Sequence, residues 1–439
     1  MSLELFHIKE LYERFVQFPF ICTDTRKIVP NALFFCLKGT HFDGNLFVNE
    51  ALEKGAKYVI TENRTLPKSD AIIVVNNVLQ TLQQLAAYHR SKLKIPLIGI
   101  TGTNGKTTTK ELISTVLSKK YRIAYTQGNL NNHIGVPLTL LSIKNDDEIA
   151  VIEMGANHSG EIAELCQIAK PDYGIITNIG KAHLEGFGCI EKIIETKTAL
   201  YKAAQVLFVN EEDEILMQES RKQQAKSRKQ KAESFTDLQL PSIIYYGKNT
   251  NTTATIVEMT PYLVIELFEK KIKTQLTGNY NLPNILAAAA TGNYFKVPID
   301  DICDAISEYT PQNHRSQLVK NGTNTIIADY YNANPTSMKA ALSNFLQIEA
   351  SQKLAILGDM LELGESSIIE HQAIINFCED NHIKTIFIGD NFYKLKNNAS
   401  LFFLNVDDCN TCLKDHNPEN NLILLKGSRG IHLENILLH

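Results

Sequence analysis

The sequence has no long hydrophobic run, and its opening residues lack the pattern of an export signal. No apolar stretch approaches the roughly 18 residues that a membrane-spanning helix needs. The opening segment, MSLELFHIKELYERF, lacks a basic region followed by an apolar one, so we expect no signal peptide. These two absences predict a cytoplasmic protein without a membrane partner.

Several classes of chain are excluded by what is scarce. Only 23 of the 439 residues are glycine and 13 are proline, while 44% are hydrophobic, which excludes collagen-like and disordered chains. The 44 Lys and Arg residues against 48 Asp and Glu residues give a net charge of −4, so the basic excess of a nucleic-acid binder is missing. The length corresponds to about three domains. We therefore expect a folded protein of several domains with no nucleic-acid partner. We also expect a monomer, although none of these totals decides the oligomeric state.

The cysteines do not form a disulfide framework or an obvious metal site. Eight are scattered along the chain, as is typical of reduced thiols in a cytosolic enzyme. Cys409 and Cys412 have C-x-x-C spacing, with His416 nearby. A zinc site needs a fourth strong ligand, and the sequence offers no second pair. We interpret Cys409 and Cys412 as ordinary thiols in a loop or a short helix.

Strand-like and helix-like text alternates from the first hundred residues onward. LFFCL, KYVI and AIIVV predict strands in a small α/β unit that closes with a helix near Val78 to Leu93. A second unit has predicted strands at Leu97 to Ile100, Ile149 to Gly155 and Tyr173 to Ile179, each preceded by polar or helical text. This order predicts a doubly wound, mostly parallel sheet that binds ligands at the carboxyl ends of its strands.

A third α/β unit begins near Pro311. Its strands are predicted at Thr325 to Tyr331, Lys353 to Met360, Lys384 to Gly389 and Asn421 to Ser428. The resulting α/β architecture has three domains, with predicted boundaries at 1–94, 95–311 and 312–439.

Residues 211–235 form a polar stretch in which Lys and Arg cluster between Arg221 and Lys231. No aromatic residue lies among these charges, so a stacking surface for RNA bases is missing. We interpret the stretch as a solvated helix or a mobile insertion. Strand-like text resumes from Thr252 to Leu276, and LTGNYNLPNILAAAATGNYF then predicts a turn that opens an Ala-rich helix.

A glycine-rich turn joins a buried strand to a helix at Gly102-Thr-Asn-Gly105-Lys106-Thr107. Small residues let backbone N–H groups surround phosphate oxygens, and the helix N-terminus adds a positive dipole. Lys106 is predicted to hold the β- and γ-phosphates, and the Thr107 hydroxyl to bind Mg²⁺. The spacing is not that of the ordinary Walker A motif, because the first glycine of that motif would fall on Ile100.

Two further polar residues follow strands of the same sheet. Glu153 ends the strand AVIE, where its carboxylate would lie across from the phosphate loop and supply a hard oxygen for Mg²⁺. His183 follows the next strand in TNIGKAHLEGFG. A lone histidine is more often structural than functional, so the pattern by itself leaves its role open.

Seven segments resemble, in the same order, those of the Mur ligases: TGTNGKTTT, TQGNLNNHIGVPLTLL, EMGANHSGEI, TNIGKAHLEGFG, DYYNANPTSMKAAL, LGDMLELGE and LKGSRG. The resemblance covers essentially the whole chain. It implies an N-terminal domain for a UDP-sugar (1–94), a central ATP-binding domain (95–311) and a C-terminal Rossmann-like ligase domain (312–439). It also implies ATP-dependent amide-bond formation through an acyl phosphate, in cytoplasmic peptidoglycan precursor synthesis.

The resemblance also implies roles for individual residues. Thr107, Glu153 and His183 would form Mg²⁺ sites with ATP, and Lys197 would be carboxylated to a carbamate that ligates a second Mg²⁺. Lys106, Lys197 and His183 would be the catalytic residues. The nucleotide would be bound by the loop and by residues of the later segments: Gly102, Thr103, Asn104, Gly105, Lys106, Thr107, Thr108, Asn281, Asn284, Arg315, Asp329, Tyr331 and Asn332. The uridine diphosphate would be held by Thr25, Arg26, Lys38 and Gly39.

Within the family, GNLNNHIGVPLTLL, YNANP and LGDMLELG point to the member that adds D-alanyl-D-alanine to UDP-N-acetylmuramoyl-tripeptide. The sister ligase that adds a diamino acid is the nearest alternative, but its Asp-Asn-Pro-Arg motif is absent. A folylpolyglutamate synthetase, a P-loop NTPase switch, a nucleic-acid-dependent ATPase and an inactive binding module are further alternatives. Lys426 and Arg429 are candidates for binding the dipeptide carboxylate, although solvated charges in a turn explain them nearly as well.

Overall fold

The chain folds into three α/β units, each built on a parallel or nearly parallel sheet. The computed structural model describes residues 3–438 except 41, 235–240, 260, 313 and 416. The predicted fold class is confirmed: the chain has the three-domain architecture with a parallel central sheet and a mixed C-terminal sheet. Among the described residues, no helix combines the length and the apolar character that crossing a bilayer requires.

The N-terminal unit is a four-stranded parallel sheet with helices on its faces. Its strands lie in the order β1-β2-β3-β4. Phe34 and Phe35, on β2, are fully buried, on opposite faces of the sheet. The elements are α1 (Leu3–Gln17), β1 (Ile21–Cys22), β2 (Leu33–Phe35), α2 (Val48–Glu53), β3 (Tyr58–Thr61), β4 (Ile72–Val74) and α3 (Val78–Lys92).

The central unit is a six-stranded parallel sheet in the order β10-β9-β8-β5-β7-β6, with a small antiparallel sheet of β11, β12 and β13 beside it. The chain runs from β5 to one side of the sheet and later to the other, so the carboxyl end of β5 lies where the strand order reverses. The elements are β5 (Leu97–Thr101), α4 (Lys106–Ser118), β6 (Ile123–Tyr125), α5 (Gly135–Leu141), β7 (Ile149–Glu153), α6 (Glu161–Ala169), β8 (Tyr173–Ile176), α7 (Leu184–Phe187), α8 (Ile190–Ala203), β9 (Val206–Asn210), α9 (Glu214–Ser234), β10 (Ser242–Tyr246), β11 (Ala254–Glu258), β12 (Val264–Leu267), β13 (Lys270–Lys273), α10 (Leu282–Tyr294) and α11 (Ile299–Glu308).

The C-terminal unit is a six-stranded sheet in the order β14-β15-β19-β16-β17-β18, in which only β14 is antiparallel to its neighbour. The elements are β14 (Gln317–Asn321), β15 (Asn324–Asp329), α12 (Pro335–Gln347), β16 (Lys353–Gly358), α13 (Ser367–Asp380), β17 (Thr385–Ile388), α14 (Asp390–Tyr393), β18 (Leu401–Phe403), α15 (Val406–Asp415) and β19 (Leu422–Lys426).

Several predicted strands are too long at their carboxyl ends. The strand predicted to end at Ile179 ends at Ile176, and the one predicted to end at Tyr331 ends at Asp329. The one predicted to end at Ser428 ends at Lys426. The extra residues leave the sheet and form the loops above its edge, where a ligand site is expected in an open α/β sheet.

Two ambiguous segments now have a defined structure. The polar stretch forms the helix α9, and its charged side chains Arg221, Lys222, Lys226 and Arg228 are exposed. The interpretation as a solvated helix therefore fits the described residues. Phe235, the last residue of the predicted stretch, lies outside the described residues. Cys409 and Cys412 lie on the short helix α15, where Cys409 is buried. His416 lies outside the described residues.

Arg90 fastens the N-terminal unit to the central one. It is buried on α3, and its guanidinium donates to the carbonyl oxygens of Ala169 (2.9 Å) and Lys170 (3.1 Å) and to the Asp172 carboxylate (2.8 Å). The hydrophobic core also runs across this junction, from Leu85 on α3 to the central sheet. The predicted boundary near residue 94 therefore marks a change of sheet and not a gap in the packing.

We expect Arg90→Ala to lower the free energy of unfolding by about 3 kcal/mol, because the buried guanidinium is lost and the carbonyl oxygens of Ala169 and Lys170 lose their donor. Thermal or urea unfolding followed by circular dichroism would measure the change. Arg64→Ala, which removes an exposed arginine from the same unit, is the matched control and should leave the transition nearly unchanged. An equal effect of the two substitutions would contradict this role for Arg90.

Candidate active site

A cavity of about 660 Å³ lies between the carboxyl edges of the central and C-terminal sheets. Most of the residues expected to bind nucleotide or metal line it, although they come from both units. Those residues are Thr103, Asn104, Gly105, Lys106, Thr107, Thr108, Glu153, His183, Asn281, Asn284, Arg315, Asp329, Tyr331 and Asn332.

The glycine-rich turn has the local structure that its sequence predicts. The strand β5 ends at Thr101, and α4 begins at Lys106. Gly102 has φ +147°, and a Cβ there would lie 1.9 Å from the Thr177 hydroxyl. Gly105 has φ +77°, and a Cβ there would lie 2.6 Å from Asn284 Oδ1. Only glycine fits these two positions, because both the backbone conformation and the space exclude a side chain.

Two lysine side chains converge on one carbonyl oxygen of this turn. Lys106 Nζ donates to Gly102 O at 2.8 Å and to Thr103 O at 3.0 Å. Lys197, on α8, also donates to Gly102 O, at 3.0 Å, and is 3% exposed. Burial, and then the charge of Lys106, lower the pKa of Lys197 well below its ordinary value. The site therefore favours the uncharged amine of Lys197, although this side chain lies behind the turn and does not line the cavity.

Glu153 presents one carboxylate oxygen that has no protein partner. Its Oε1 accepts from the Thr107 hydroxyl at 3.2 Å and from Asn131 Nδ2 at 2.8 Å. Its Oε2 is buried and makes no hydrogen bond within the described part of the chain. A buried carboxylate oxygen is costly to leave unpaired, so this atom fits a cation ligand.

His183 has a carboxylate on one side of its ring. It adopts a left-handed conformation (φ +50°) before α7, and its Nδ1 contacts the Glu362 carboxylate of the C-terminal unit. This contact lowers the pKa of Glu362. Metal-binding histidines commonly have such a carboxylate on the second ring nitrogen, which fixes the tautomer and leaves Nε2 free to bind.

These residues fit Mg²⁺ only if a substrate completes the coordination. Over the described ranges, no group of three or more His, Cys, Asp or Glu side chains is arranged to hold a metal ion. Mg²⁺ is usually bound by one or two carboxylates together with phosphate oxygens and waters. Glu153 and the Thr107 hydroxyl beside it match that pattern.

We expect Glu153→Gln to raise the Mg²⁺ concentration needed for half-maximal turnover by at least about tenfold, because an amide supplies no anionic oxygen. A Mg²⁺ titration at saturating nucleotide would measure it. Glu148→Gln, an exposed glutamate just before the same strand, serves as the control. An unchanged Mg²⁺ requirement in Glu153→Gln would contradict the metal assignment.

Two buried amides lie against the phosphate loop and the first turn of α4. Asn284 Oδ1 accepts from the Thr109 hydroxyl at 3.0 Å, and its Nδ2 donates to Asn281 Oδ1 at 2.9 Å. Asn281 in turn donates to Thr277 O at 2.8 Å. Both asparagines line the cavity, and their network attaches α10 to the first turn of α4.

The C-terminal unit contributes an aromatic ring close to two cations, and also a buried ion pair. The Arg315 guanidinium lies 3.8 Å from the centre of the Tyr331 ring, and that of Arg429 lies 5.7 Å from it. Lys426 is 2% exposed, and its Nζ lies 2.6 Å from Asp329 Oδ2. The solvated-turn interpretation of Lys426 is therefore wrong, because the lysine ends β19 directly beside β15.

The four residues predicted to bind uridine diphosphate lie elsewhere. Thr25 and Arg26 follow β1, and Lys38 and Gly39 follow β2, so all four lie at the carboxyl edge of the N-terminal sheet and outside the cavity. Arg26 pairs with Asp24 at 2.8 Å, which lowers the pKa of Asp24 to about 2. The Lys38 side chain is 66% exposed, and its ammonium lies 3.4 Å from the Asp43 carboxylate.

Sequence reasoning missed three residues that shape the cavity. Asn131 and Asn178 hold Glu153 and the phosphate loop, and Asn334 approaches from the C-terminal unit. Each of them lies within or next to a segment that carries the family resemblance, which was the only available signal. Their partners are far away in sequence, so no local pattern identifies the contacts.

Family comparisons agree with this architecture along the whole chain. Residues 17–95 match the Mur ligase family catalytic domain, 100–292 the Mur ligase middle domain, and 314–429 the Mur ligase glutamate ligase domain. The UDP-N-acetylmuramoyl-tripeptide–D-alanyl-D-alanine ligase of Bacillus subtilis is 35% identical over 434 residues, which cover 95% of this chain and 92% of the relative.

Two solved structures superpose on most of the chain. MurF from Acinetobacter baumannii gives a TM-score of 0.83 at 30% identity and covers 95% of this chain and 92% of its own. MurF ligase from Thermotoga maritima, solved in complex with ADP, gives 0.80 at 26% identity and covers 95% and 96%. Fold and site define a nucleotide-dependent ligase of α/β architecture. The chain belongs to the Mur ligase family, as its sequence motifs predicted.

Proposed function

We propose that this Mur ligase joins D-alanyl-D-alanine to UDP-N-acetylmuramoyl-tripeptide at the expense of ATP. The observation that carries the proposal is the single cavity in which the phosphate loop, Glu153 and the C-terminal residues Arg315 and Asp329 meet. The names of the similar Bacillus and Acinetobacter proteins support the choice of substrates, and the ADP complex of the Thermotoga relative supports ATP as the nucleotide.

In the proposed reaction, a carboxylate oxygen of the tripeptide attacks the γ-phosphorus of ATP, and ADP leaves. The resulting acyl phosphate is attacked at its carbonyl carbon by the amine of D-alanyl-D-alanine. The tetrahedral intermediate then expels phosphate and releases a proton, which leaves the new amide bond. Phosphoryl transfer of this kind depends mainly on positioning and on charge neutralisation.

Each part of the cavity has a role in that sequence. Lys106 neutralises the transferring phosphoryl group, and the amides of the turn orient it. Glu153, Thr107 and His183 would hold Mg²⁺, which supplies positive charge to the phosphate oxygens. Asn281 and Asn284 flank the adenine. Arg315 and Asp329 bind the phosphates and the ribose from the C-terminal side, with Tyr331 and Asn332 beside them.

Lys197 is proposed to act as a carbamate. Its uncharged amine would add to the carbon of CO₂ and release a proton, which turns a buried neutral amine into an anionic oxygen ligand. The lowered pKa and the neighbouring Lys106 ammonium support this step, because the amine is reactive only when uncharged and the carbamate would be paired with a cation.

The N-terminal sheet is proposed to bind the uridine diphosphate end of the substrate. Thr25, Arg26, Lys38 and Gly39 follow neighbouring parallel strands, so their loops lie side by side at one edge. The exposed Arg26 and Lys38 side chains offer positive charge to a diphosphate there.

Phosphate release from ATP, measured with UDP-N-acetylmuramoyl-tripeptide in the presence and absence of D-alanyl-D-alanine, tests the proposal. We expect release that requires both substrates, and a pentapeptide product by mass spectrometry. Turnover only with the dipeptide precursor and a diamino acid would assign the chain to the sister ligase. Release stimulated by RNA or DNA would favour a nucleic-acid-dependent ATPase, for which the exposed charges of α9 are the supporting observation.

A further inference from the structure

We propose that Asn334 is a positioning residue that couples the approach of the C-terminal unit to the conformation of the phosphate loop. This inference rests on the proposed function. Asn334 lies just before α12, is 8% exposed and borders the cavity. It belongs to the YNANP segment, which helped to identify the family, and the proposed reaction assigns it no role.

The side chain of Asn334 makes two different hydrogen bonds. Its Oδ1 accepts from Ser337 N at 2.9 Å and thereby caps α12. The cap fixes the orientation of the amide, because only an oxygen can accept from a backbone N–H. Its Nδ2 therefore points the other way, and it donates to Asn104 Oδ1 in the phosphate loop at 2.7 Å. Serine or aspartate would cap the helix as well, but the serine hydroxyl does not reach Asn104 and aspartate has no donor.

Asn104 is held by the central unit through its backbone. Its N–H donates to Asn178 Oδ1 at 3.0 Å, and its carbonyl oxygen accepts from the Thr177 hydroxyl at 2.6 Å and from Asn178 Nδ2 at 3.0 Å. The side chain of Asn104 accepts the hydrogen bond from Asn334 of the C-terminal unit. Asn104 therefore holds the loop to the central unit through its backbone and connects it to α12 through its side chain.

A second contact packs the first turn of α12 against Gly180, a residue that is hydrogen-bonded to the phosphate loop. Gly180 has so little space that a Cβ would lie 3.0 Å from the Thr336 hydroxyl. The backbone N–H of Gly180 donates to Thr103 Oγ1 at 2.9 Å, and its carbonyl oxygen accepts from the same hydroxyl at 3.2 Å. Asn334 therefore bonds to Asn104, and Thr336 packs on Gly180, which is hydrogen-bonded to Thr103. Thr103 and Asn104 are adjacent residues of the phosphate loop.

Two ion pairs also join the units, but they attach to the segment after β8. Lys181 pairs with Glu370 at 3.0 Å, and His183 contacts Glu362. The Lys181 side chain is 61% exposed, and such a surface pair contributes little. The neutral bond from Asn334 is the contact that reaches the loop itself.

The contact between Asn334 and the loop would keep water away from the acyl phosphate. An acyl phosphate that meets water returns to a carboxylic acid and phosphate, and the ATP is then spent without an amide product. If Asn334 holds α12 against the loop during phosphoryl transfer, replacing Asn334 lets water enter the cavity and hydrolyse the acyl phosphate.

Asn334→Ser separates the two bonds, because serine keeps the cap and cannot reach Asn104. We expect the ratio of phosphate released to amide formed to rise several-fold above one and the rate of amide formation to fall about tenfold, with an unchanged melting temperature. Asn77→Ser makes the same substitution at another helix cap, that of α3, and should leave the ratio at one. In a double-mutant cycle with Asn104→Ala, the double variant should be no worse than the poorer single variant. A ratio of one in Asn334→Ser, or strictly additive effects, would overturn the proposal.

Small-angle X-ray scattering with ADP and Mg²⁺ tests the same bond without the peptide substrates. The wild-type chain should be more compact than Asn334→Ser, and equal radii of gyration would count against the coupling. This measurement keeps the two proposals distinct. A wild-type chain that forms no amide would end the proposed function, while the scattering comparison would still decide whether Asn334 joins the units.

Discussion

Replacing Lys106 by alanine is expected to lower the rate of amide formation at least about 10³-fold, because this ammonium supplies positive charge where the γ-phosphoryl group is transferred. Its Nζ is fixed at the mouth of the turn by two backbone carbonyl oxygens, at 2.8 and 3.0 Å. Alanine therefore removes the positive charge from a site whose geometry is already fixed. Initial rates at saturating ATP would measure the effect.

Lys119→Ala is the matched control for Lys106→Ala. Lys119 follows the last turn of the same helix and pairs with Glu308 at the surface. Its removal should leave the rate nearly unchanged. A near-normal rate for Lys106→Ala would show that the turn does not bind the phosphates of the reacting nucleotide, and the assignment of the whole cavity would fall with it.

Replacing Lys197 by alanine is expected to lower turnover at least about 100-fold, since a ligand of the second metal would be lost. Added short carboxylates, such as formate or acetate, should restore part of the activity by occupying the place of the carbamate oxygen atoms. A titration of each salt against the rate would measure the rescue, with chloride at equal ionic strength as the reference.

The control for Lys197→Ala lies on the same helix. Lys202 is exposed in the last turn of α8, and Lys202→Ala should keep full activity and show no response to carboxylates. Full activity in Lys197→Ala would exclude the carbamate. A large loss without rescue would leave Lys197 as a buried amine that supports Gly102, which is a structural role.

The sequence predicted the elements whose signal is local. A buried strand followed by Gly102, Gly105 and Lys106 predicted the glycine-rich turn between β5 and α4, and the place of Glu153 followed from its position at the end of the adjacent strand. The structure confirms the parallel central sheet and the family. The predicted ends of several strands were wrong, because residues such as Ile179 and Tyr331 leave the sheet to line the cavity and no local signal marks the last paired position.

Contacts between distant residues could not be predicted. Lys426 and Asp329 are 97 positions apart and meet only because β15 and β19 are neighbours in the folded sheet. The environment of Lys197 is a similar case. A lysine on a helix is normally solvated, and only the packed structure reveals that this one is buried beside a second cation.

Asp359 shows that a distinctive motif need not be catalytic. It lies in the LGDM segment, is 1% exposed, and accepts from the backbone N–H groups of Asn391 and Phe392 at 2.8 and 2.9 Å. These bonds hold the start of α14. The sequence identified the segment through its resemblance, but the structural role of this carboxylate depends on residues more than thirty positions away.

The most direct test of the proposed chemistry uses UDP-N-acetylmuramoyl-tripeptide labelled with ¹⁸O in its terminal carboxylate. If that carboxylate attacks ATP and the amine then expels phosphate, one labelled oxygen passes to each phosphate released as the amide forms. The account predicts singly labelled phosphate in equal amount to the pentapeptide product. Pentapeptide formed together with unlabelled phosphate would contradict the acyl phosphate and with it the central claim.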